Sequence, residues 1–371
     1  LDYYREHGIS PVAQDIGDLQ RHFERRSSLY HSLGIVPSFL RGKAVIEFGP
    51  GSGFNSIYTA SLQPSRYVLV DGNPTGAEQT AKRLHEYGAN PKSFEVVHSL
   101  IEEYDSSERF DLSICEGTIP FQLDPDGFAR KVGSFCKPGG VVVITTASSA
   151  SVMGETTRRL IANRLMRGCD TIEDKLSRLR PVFAPHLATI KNMSRPVDDW
   201  ILDNLIHPWI GKTFGIDAAI NSLSDTFDIY GASPDFIQDW RWYKDIWGPT
   251  KDVNGRAIRS YLSNMANFLD YRVELPPHSA EVGSAIAILC DKIYSLMLAD
   301  GAGDNNALAE AGDLTRELAR MVQRISPVTA ESLHQAAEYA RDPNTGSDGP
   351  SSFTSFFGRG SQYLSFIMRQ T

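Results

Sequence analysis

Three glycines at alternate positions, Gly49, Gly51 and Gly53, follow the apolar run Ala44 to Phe48, and an acid, Glu47, stands two residues before the first of them. Such a loop lets the backbone turn at positive φ and brings main-chain N–H groups against a ligand where the next helix starts, at Asn55. The spacing suits a nucleotide-like molecule. It is not the dinucleotide fingerprint, which needs glycine where this chain has Phe54, and no lysine followed by serine or threonine completes a P-loop. A second acid, Asp71, closes the apolar run Tyr67 to Val70, about 20 residues on, where a carboxylate in a βαβ unit accepts hydrogen bonds from ribose hydroxyls. The plainer alternatives are a βα turn that binds nothing and an acid that only caps a helix.

Residues that could act on a second substrate lie farther along. Asp239 to Trp247 interleaves Trp240, Trp242, Tyr243 and Trp247 with two acids and two bases, a composition suited to stacking on sugar rings or flat molecules, or to pinning a segment onto the core. His186 and His207 are the candidate general bases, since imidazole titrates near neutral pH; each also reads as an ordinary structural histidine. Tyr3 and Tyr4, ahead of the first helix, could close over a ligand or form a frayed end. No His/Cys cluster has metal spacing, so no metal is expected.

The elements that must position these residues alternate. Ser10-Pro11 starts a helix whose apolar positions recur to Gly34. Strands are expected at 44–48, 67–70, 94–98, 110–115 and 141–146, with helices 55–62 and 75–87 between the first three. After Thr146 the alternation breaks. The next strand candidates are 227–230 and 362–368, so the sheet should be completed by distant pieces and interrupted by two insertions. Within the first, Thr171 caps a helix that should stop before Pro181. The second holds a helical hairpin, its stripes Val282 to Leu296 and Leu308 to Ile325 joined by a polar loop, and a third helix to about Arg341. The domains are thus an N-terminal helical lid (1–40), a core (41–147), a helical insertion (148–223), completing strands (224–233 and 360–371) and a second helical insertion (234–359).

Composition sets outer bounds. The chain has 371 residues, enough for one large or two ordinary domains with a substantial core. A net charge of −8 argues against nucleic acid or an anionic membrane as partner. Four cysteines without a C-x-x-C pair read as reduced thiols, hence a cytoplasmic setting, and no run of 18 apolar residues suggests a membrane span. The chain starts at Leu1 rather than methionine, which suggests that some native N-terminus, even a removed targeting segment, precedes it.

Taken together, Glu47-x-Gly49-x-Gly51-x-Gly53, Asp71, the strand FDLSIC ending at Glu116-Gly117, and Lys137-Pro138-Gly139-Gly140 before the fifth strand resemble the class I S-adenosylmethionine-dependent methyltransferases. The resemblance covers less than half of the chain. It implies a doubly wound α/β fold, a mostly parallel seven-stranded sheet with an antiparallel last strand, here with a mostly helical cap from the insertions. It implies S-adenosyl-L-methionine as cofactor, with Glu47 reaching its ammonium, Asp71 the ribose, Gly72 and Asn73 bordering the adenine, and Glu116 and Gly117 facing the methionine part. The adenine amino group is commonly held by an aspartate after the third strand. Here Ser99 and Leu100 stand in its place, leaving the backbone of Leu100 and Ile101. Strand four does not end in N-P-P-Y or D-P-P-Y, which lowers nucleic acids and proteins as acceptors; the resemblance of the insertion pattern to methyltransferases of secondary or surface-glycan metabolism implies a small molecule, a sugar or another hydroxylated metabolite. The rival readings are an NAD-dependent oxidoreductase and a non-catalytic cofactor-binding scaffold; a homodimer through the helical insertions is open to either.

Overall fold

A computed structural model describes residues 16–191, 193, 195–304, 306–342 and 351–370. They divide into two units, each assembled from separated segments. The first takes the described residues up to Thr146, Gly211–Ile258 and those from Gln362 on; the second takes Ala147–Ile210 and Arg259–Ser361.

The first unit is built on seven strands, β1 (Ala44–Phe48), β2 (Arg66–Asp71), β3 (Phe94–His98), β4 (Phe110–Cys115), β5 (Cys136–Thr146), β6 (Phe227–Ser233) and β7 (Gln362–Met368), in the order β3-β2-β1-β4-β5-β7-β6. The first five are mutually parallel and β7 is antiparallel to both β5 and β6, so β6 points the same way as β1. Val45, Ile46, Phe48, Val68, Leu69, Val70, Leu112 and Ile144 are wholly buried, as strands covered on both faces require. The doubly wound fold is therefore as expected. β5 begins at Cys136 rather than Val141, its register with β4 shifting between Phe110 and Leu112.

One helix precedes the early strands and three link them. α1 (Leu19–Ser32) begins behind Asp18, whose carboxylate accepts the N–H of Arg21 at 3.0 Å; the expected start at Ser10-Pro11 lies outside the described residues. α2 (Ser56–Ser61) follows the glycine loop, α3 (Pro74–Glu86) is capped by Asn73, and α4 (Pro125–Ser134) by Asp124. α1 is anchored at both ends of its run. Phe23 and Tyr30 pack edge-on against Tyr58 of α2, and the carbonyl of Leu33 accepts the hydroxyl of Ser365 on β7 at 2.8 Å.

Two stretches expected in the insertions belong to this unit instead. Within 211–223, helix Ile216–Leu223 buries Ile216, Ala219, Ile220 and Leu223 and packs on α4; the segment 234–258 continues directly from β6. Conversely, Gly360, expected within the completing segment 360–371, belongs to the second unit, where it donates its N–H to the carbonyl of Ser151.

The second unit is helical. Thr171 caps helix Ile172–Leu187 by accepting the N–H of Asp174 at 3.1 Å, but the helix does not stop before Pro181. It carries both Pro181 and Pro185, because Leu179, Phe183 and Leu187 continue one buried stripe past the lost N–H donors. Helices Ala280–Gly301 and Ala307–Val322 pack as the expected hairpin, joined on one side by Met153–Leu165 and on the other by Pro327–Arg341. Ala280–Gly301 is by length and composition apolar enough to cross a membrane; here Ile286, Leu289, Ile293 and Met297 are buried against its neighbours.

Candidate functional site

The parallel strands of the first unit present their carboxyl ends at one edge of the sheet, the edge outside which open α/β sheets bind ligands. The glycine loop leaves β1 there. Gly49 has φ +67°, and a Cβ on it would lie 2.4 Å from Thr118 Oγ1, so loop and post-β4 turn touch because residue 49 has no side chain. Gly51 has φ +60° and its missing Cβ would meet nothing within 4 Å, which leaves an open approach to the backbone.

Asp71 ties that loop to the tip of β2. Its Oδ2 accepts the N–H of Gly51 at 2.9 Å and its Oδ1 the N–H of Asn73 at 2.8 Å, while Thr80 donates its hydroxyl to the Gly51 carbonyl at 2.9 Å. Burial pushes the Asp71 carboxyl up, and the two N–H groups act against that shift. Each oxygen keeps a second acceptor direction. Asn73 is buried and caps α3 through Oδ1, with Gly72 between it and the acid. Beyond β3, Ser99 donates its N–H to the Asp71 carbonyl, Ile101 is buried, and the Leu100 carbonyl is committed to the N–H of Tyr104 at 2.9 Å.

Glu47 corrects the expectation set for it. Its carboxylate is buried, accepts the hydroxyls of Ser56 at 3.1 Å and of Tyr67, and is pushed up to about 7 by burial and then by the nearby charge of Glu116. A carboxyl so enclosed holds β1, β2 and α2 together rather than meeting an ammonium. Glu116, at the end of β4, is the acid that faces the loop. It accepts Nη1 and Nη2 of Arg26 at 2.9 and 2.6 Å and Nδ2 of Asn55 at 3.0 Å. Gly117 beside it has φ +76°, and its N–H donates to Thr145 Oγ1 at 2.7 Å.

α1 contributes residues that no motif in the sequence marks. His22, Arg26 and Tyr30 recur every fourth residue on its buried face. His22 Nε2 lies 2.8 Å from the Phe54 carbonyl, which places the ring proton on that nitrogen, and Arg26 reaches Glu116. The signal was present as polar residues at helical spacing, His22 and Arg26, one turn apart and in line with Tyr30. Phe54, the residue that breaks the dinucleotide fingerprint, carries the Arg83 guanidinium stacked 3.6 Å from its ring centre.

Both histidine candidates belong to the second unit. His186 is buried edge-on between Phe183 and Phe353, and burial with the charge of Arg158 lowers it to about 3. A histidine held neutral between two rings in this way does not suit the general base expected of it. His207 is half-buried, its titration lowered chiefly by burial, and its carbonyl accepts Nη2 of Arg159 at 2.7 Å. Trp240, Trp242 and Tyr243 lie in the first unit, exposed by 91%, 61% and 71%, so they do not pin that segment to the core. Arg241 holds the segment's shape by pairing with Asp239 and donating to the carbonyls of Thr250 and Lys251. Tyr4 lies outside the described residues, among which no cluster has the makings of a metal site. A cavity of about 520 Å³ between α2, α3 and the turn before β3 opens at the opposite, amino-terminal ends of the strands and gathers no acids.

Residues 20–180 match the family model described as a methyltransferase domain. The match covers less than half of the chain and takes in most of the first unit's parallel strands, whose order is that of a Rossmann-like α/β fold. Solved structures give more distant similarities. The N-methyltransferase NodS from Bradyrhizobium japonicum WM9, in complex with S-adenosyl-L-homocysteine, is 19% identical over 34% of this chain and 63% of its own, with a TM-score of 0.30. PKMT2 from Rickettsia typhi, in complex with AdoHcy, is 17% identical over 66% and 51%, with a TM-score of 0.48. The [4+2]-cyclase SpnF is 10% identical over 94% and 81%, with a TM-score of 0.39. The match thus spans less than two thirds of the first two chains. No curated protein sequence matches.

Proposed function

We propose that the protein is an S-adenosylmethionine-dependent methyltransferase that moves a methyl group by in-line displacement to a small-molecule acceptor, a sugar or another hydroxylated metabolite. The observation that carries the cofactor reading is the joint held by Asp71, which fixes the open Gly51 backbone beside a ribose-binding carboxylate at the sheet's ligand edge. Glu116, an acid beside the loop shared by Arg26 and Asn55, offers no place for the pyrophosphate of NAD. When bound, the cofactor supplies the electrophilic methyl group. The chain's residues have to orient it and exclude water, and they need a base only if the acceptor must lose a proton.

The acceptor reading is supported by the exposed aromatics. β6 is parallel to β1, so the segment that follows it emerges at the same edge as the glycine loop, carrying four aromatic faces suited to stacking on a ring. Isothermal titration with S-adenosylhomocysteine and with NAD tests the cofactor, and binding of NAD alone would overturn the reading. Incubation with methyl-labelled cofactor and fractionated extracts tests the acceptor: label confined to RNA or protein would remove the small-molecule class.

A further inference from the structure

A second cavity, of about 460 Å³, opens in the first unit between α1 and the carboxyl end of β6. Its α1 wall is a single stripe: Arg21, Arg25, Ser28 and Ser32 follow at steps of four, three and four residues, which sets them on one face of the helix. Ser233, the last residue of β6, lines the other side, and because β6 is parallel to β1 it stands at the edge from which the glycine loop leaves. The two walls meet where Gly231 passes Ser32. A Cβ on Gly231 would lie 2.7 Å from the Ser32 carbonyl oxygen, so helix and strand are in direct backbone contact there. Leu29 is the one apolar side chain among the described residues of the lining, and Glu24 the one acid. Such a lining buries little apolar surface. Nor do its cations serve the helix, since Arg21 falls in the first turn of α1, where the positive end of the dipole disfavours it. Two guanidinium groups against one carboxylate leave the cavity positive, in a chain of net charge −8. His22, one residue from the stripe, is lowered by burial and further by the charges of Arg26 and Arg25.

We propose that this cavity is a subsite for an acidic carbohydrate, Arg21 and Arg25 taking its phosphate or carboxylate and Ser28, Ser32, Ser233 and Glu24 its hydroxyls. The assignment refines the acceptor class proposed above and rests on that reading for the reaction, while binding in the cavity is measurable without the cofactor. Each lining group has a chemical counterpart. Guanidinium forks match the paired oxygens of a phosphate or carboxylate, and serine hydroxyls both donate and accept, as sugar hydroxyls do. Ser32 donates to the Ser28 carbonyl at 3.2 Å and keeps its acceptor directions. Glu24 opposes a bare anion but accepts from a sugar hydroxyl, which favours a carbohydrate over a simple ion. From Arg21 to Ser32 the stripe runs about 16 Å along the helix, so an acid group and the ring beside it are held together. The anchoring of α1 by His22 on the Phe54 carbonyl and by Leu33 on Ser365 keeps the stripe in place before a ligand arrives.

The test titrates the full chain, without cofactor, with glucose 1-phosphate, glucuronate, glucose and inorganic phosphate, followed by calorimetry. At least one acidic sugar should bind about tenfold more tightly than glucose and than inorganic phosphate, and the tighter of the two identifies the acid group. Arg25→Gln should remove that preference, and Arg25→Lys should restore part of it. Ser28→Ala and Ser233→Ala should weaken the acidic sugar while leaving inorganic phosphate unchanged. Arg180→Gln, at an exposed arginine of the second unit, should change none of these affinities. Equal binding of acidic and neutral sugars by wild type overturns the assignment without any variant. Inorganic phosphate bound as tightly as glucose 1-phosphate, or a preference that survives Arg25→Gln, overturns it as well. S-adenosylhomocysteine is titrated separately: failure to bind it removes the methyltransferase reading, whereas loss of the acidic sugar's preference removes only the subsite.

Discussion

Glu47 shows how one carboxyl can carry a family signature and yet serve the protein's interior. Its folded pKa, about 7, lies above its unfolded value, so the neutral form is the one that folding favours. The stability it contributes is complete below about pH 4.5 and is lost as pH rises through 7. Between pH 5 and pH 8 the wild type should therefore lose up to about 3 kcal/mol through this group. Glu47→Gln, which cannot ionise, should flatten that slope in urea unfolding curves; equal slopes in the two proteins would contradict the assignment. Asp71 makes the opposite kind of prediction, about binding. Asp71→Ala removes the acceptor for Gly51 and Asn73 as well as for a ribose, and should weaken S-adenosylhomocysteine binding by about 1.5–3 kcal/mol. Unchanged affinity by calorimetry would place the ligand elsewhere.

At the scale of elements, the second unit is held by a buried arginine as much as by its apolar stripes. Arg158 on helix Met153–Leu165 donates to the carbonyls of Gly154, Phe353, Thr354 and Phe356 at 2.6–3.3 Å and lies over the Phe357 ring at 3.7 Å. It ties the segment before β7 to a helix nearly two hundred residues earlier in the chain. Arg158→Met should cost about 3 kcal/mol, because four carbonyls lose their donor inside the unit. Arg180→Ala, which removes an exposed pair with Asp198, should leave the urea midpoint unmoved. Far-ultraviolet circular dichroism reads both, and similar midpoints would mean that the buried arginine is dispensable. The aromatic segment after β6 behaves differently again. Its rings are exposed, so Trp240→Ala and Trp242→Ala should leave stability intact and raise the acceptor KM in the methyl-transfer assay. A loss of stability with no change in KM would return these residues to a packing role.

For the molecule as a whole, the four cysteines give a direct check on the packing. Cys115, Cys136 and Cys290 are buried and unpaired, their thiols pushed up by burial, to about 12 for the first two. Cys169 is partly exposed. Thiol titration of the folded protein should label Cys169 alone at an appreciable rate, and denaturant should release the other three. Rapid reaction of all four without denaturant would show the cores to be open.

Local sequence was enough wherever local physics decides. The strands at 44–48, 94–98, 110–115 and 362–368 have the limits that their mostly apolar, β-branched and aromatic runs predict. The glycine loop and Asp71 were legible because positive φ and a strand-tip acid are chemically conspicuous. What the sequence could not decide was which side a polar residue faces and which distant residue meets it. Glu47 turned out to be enclosed by Ser56 and Tyr67, His186 lies between two phenyl rings, and Arg26, on a helix of no special composition, closes on a glutamate ninety residues away. Those outcomes depend on the burial and pairing of groups brought together only by the completed sheet and helices, and burial is what sets whether a carboxyl or an imidazole carries charge.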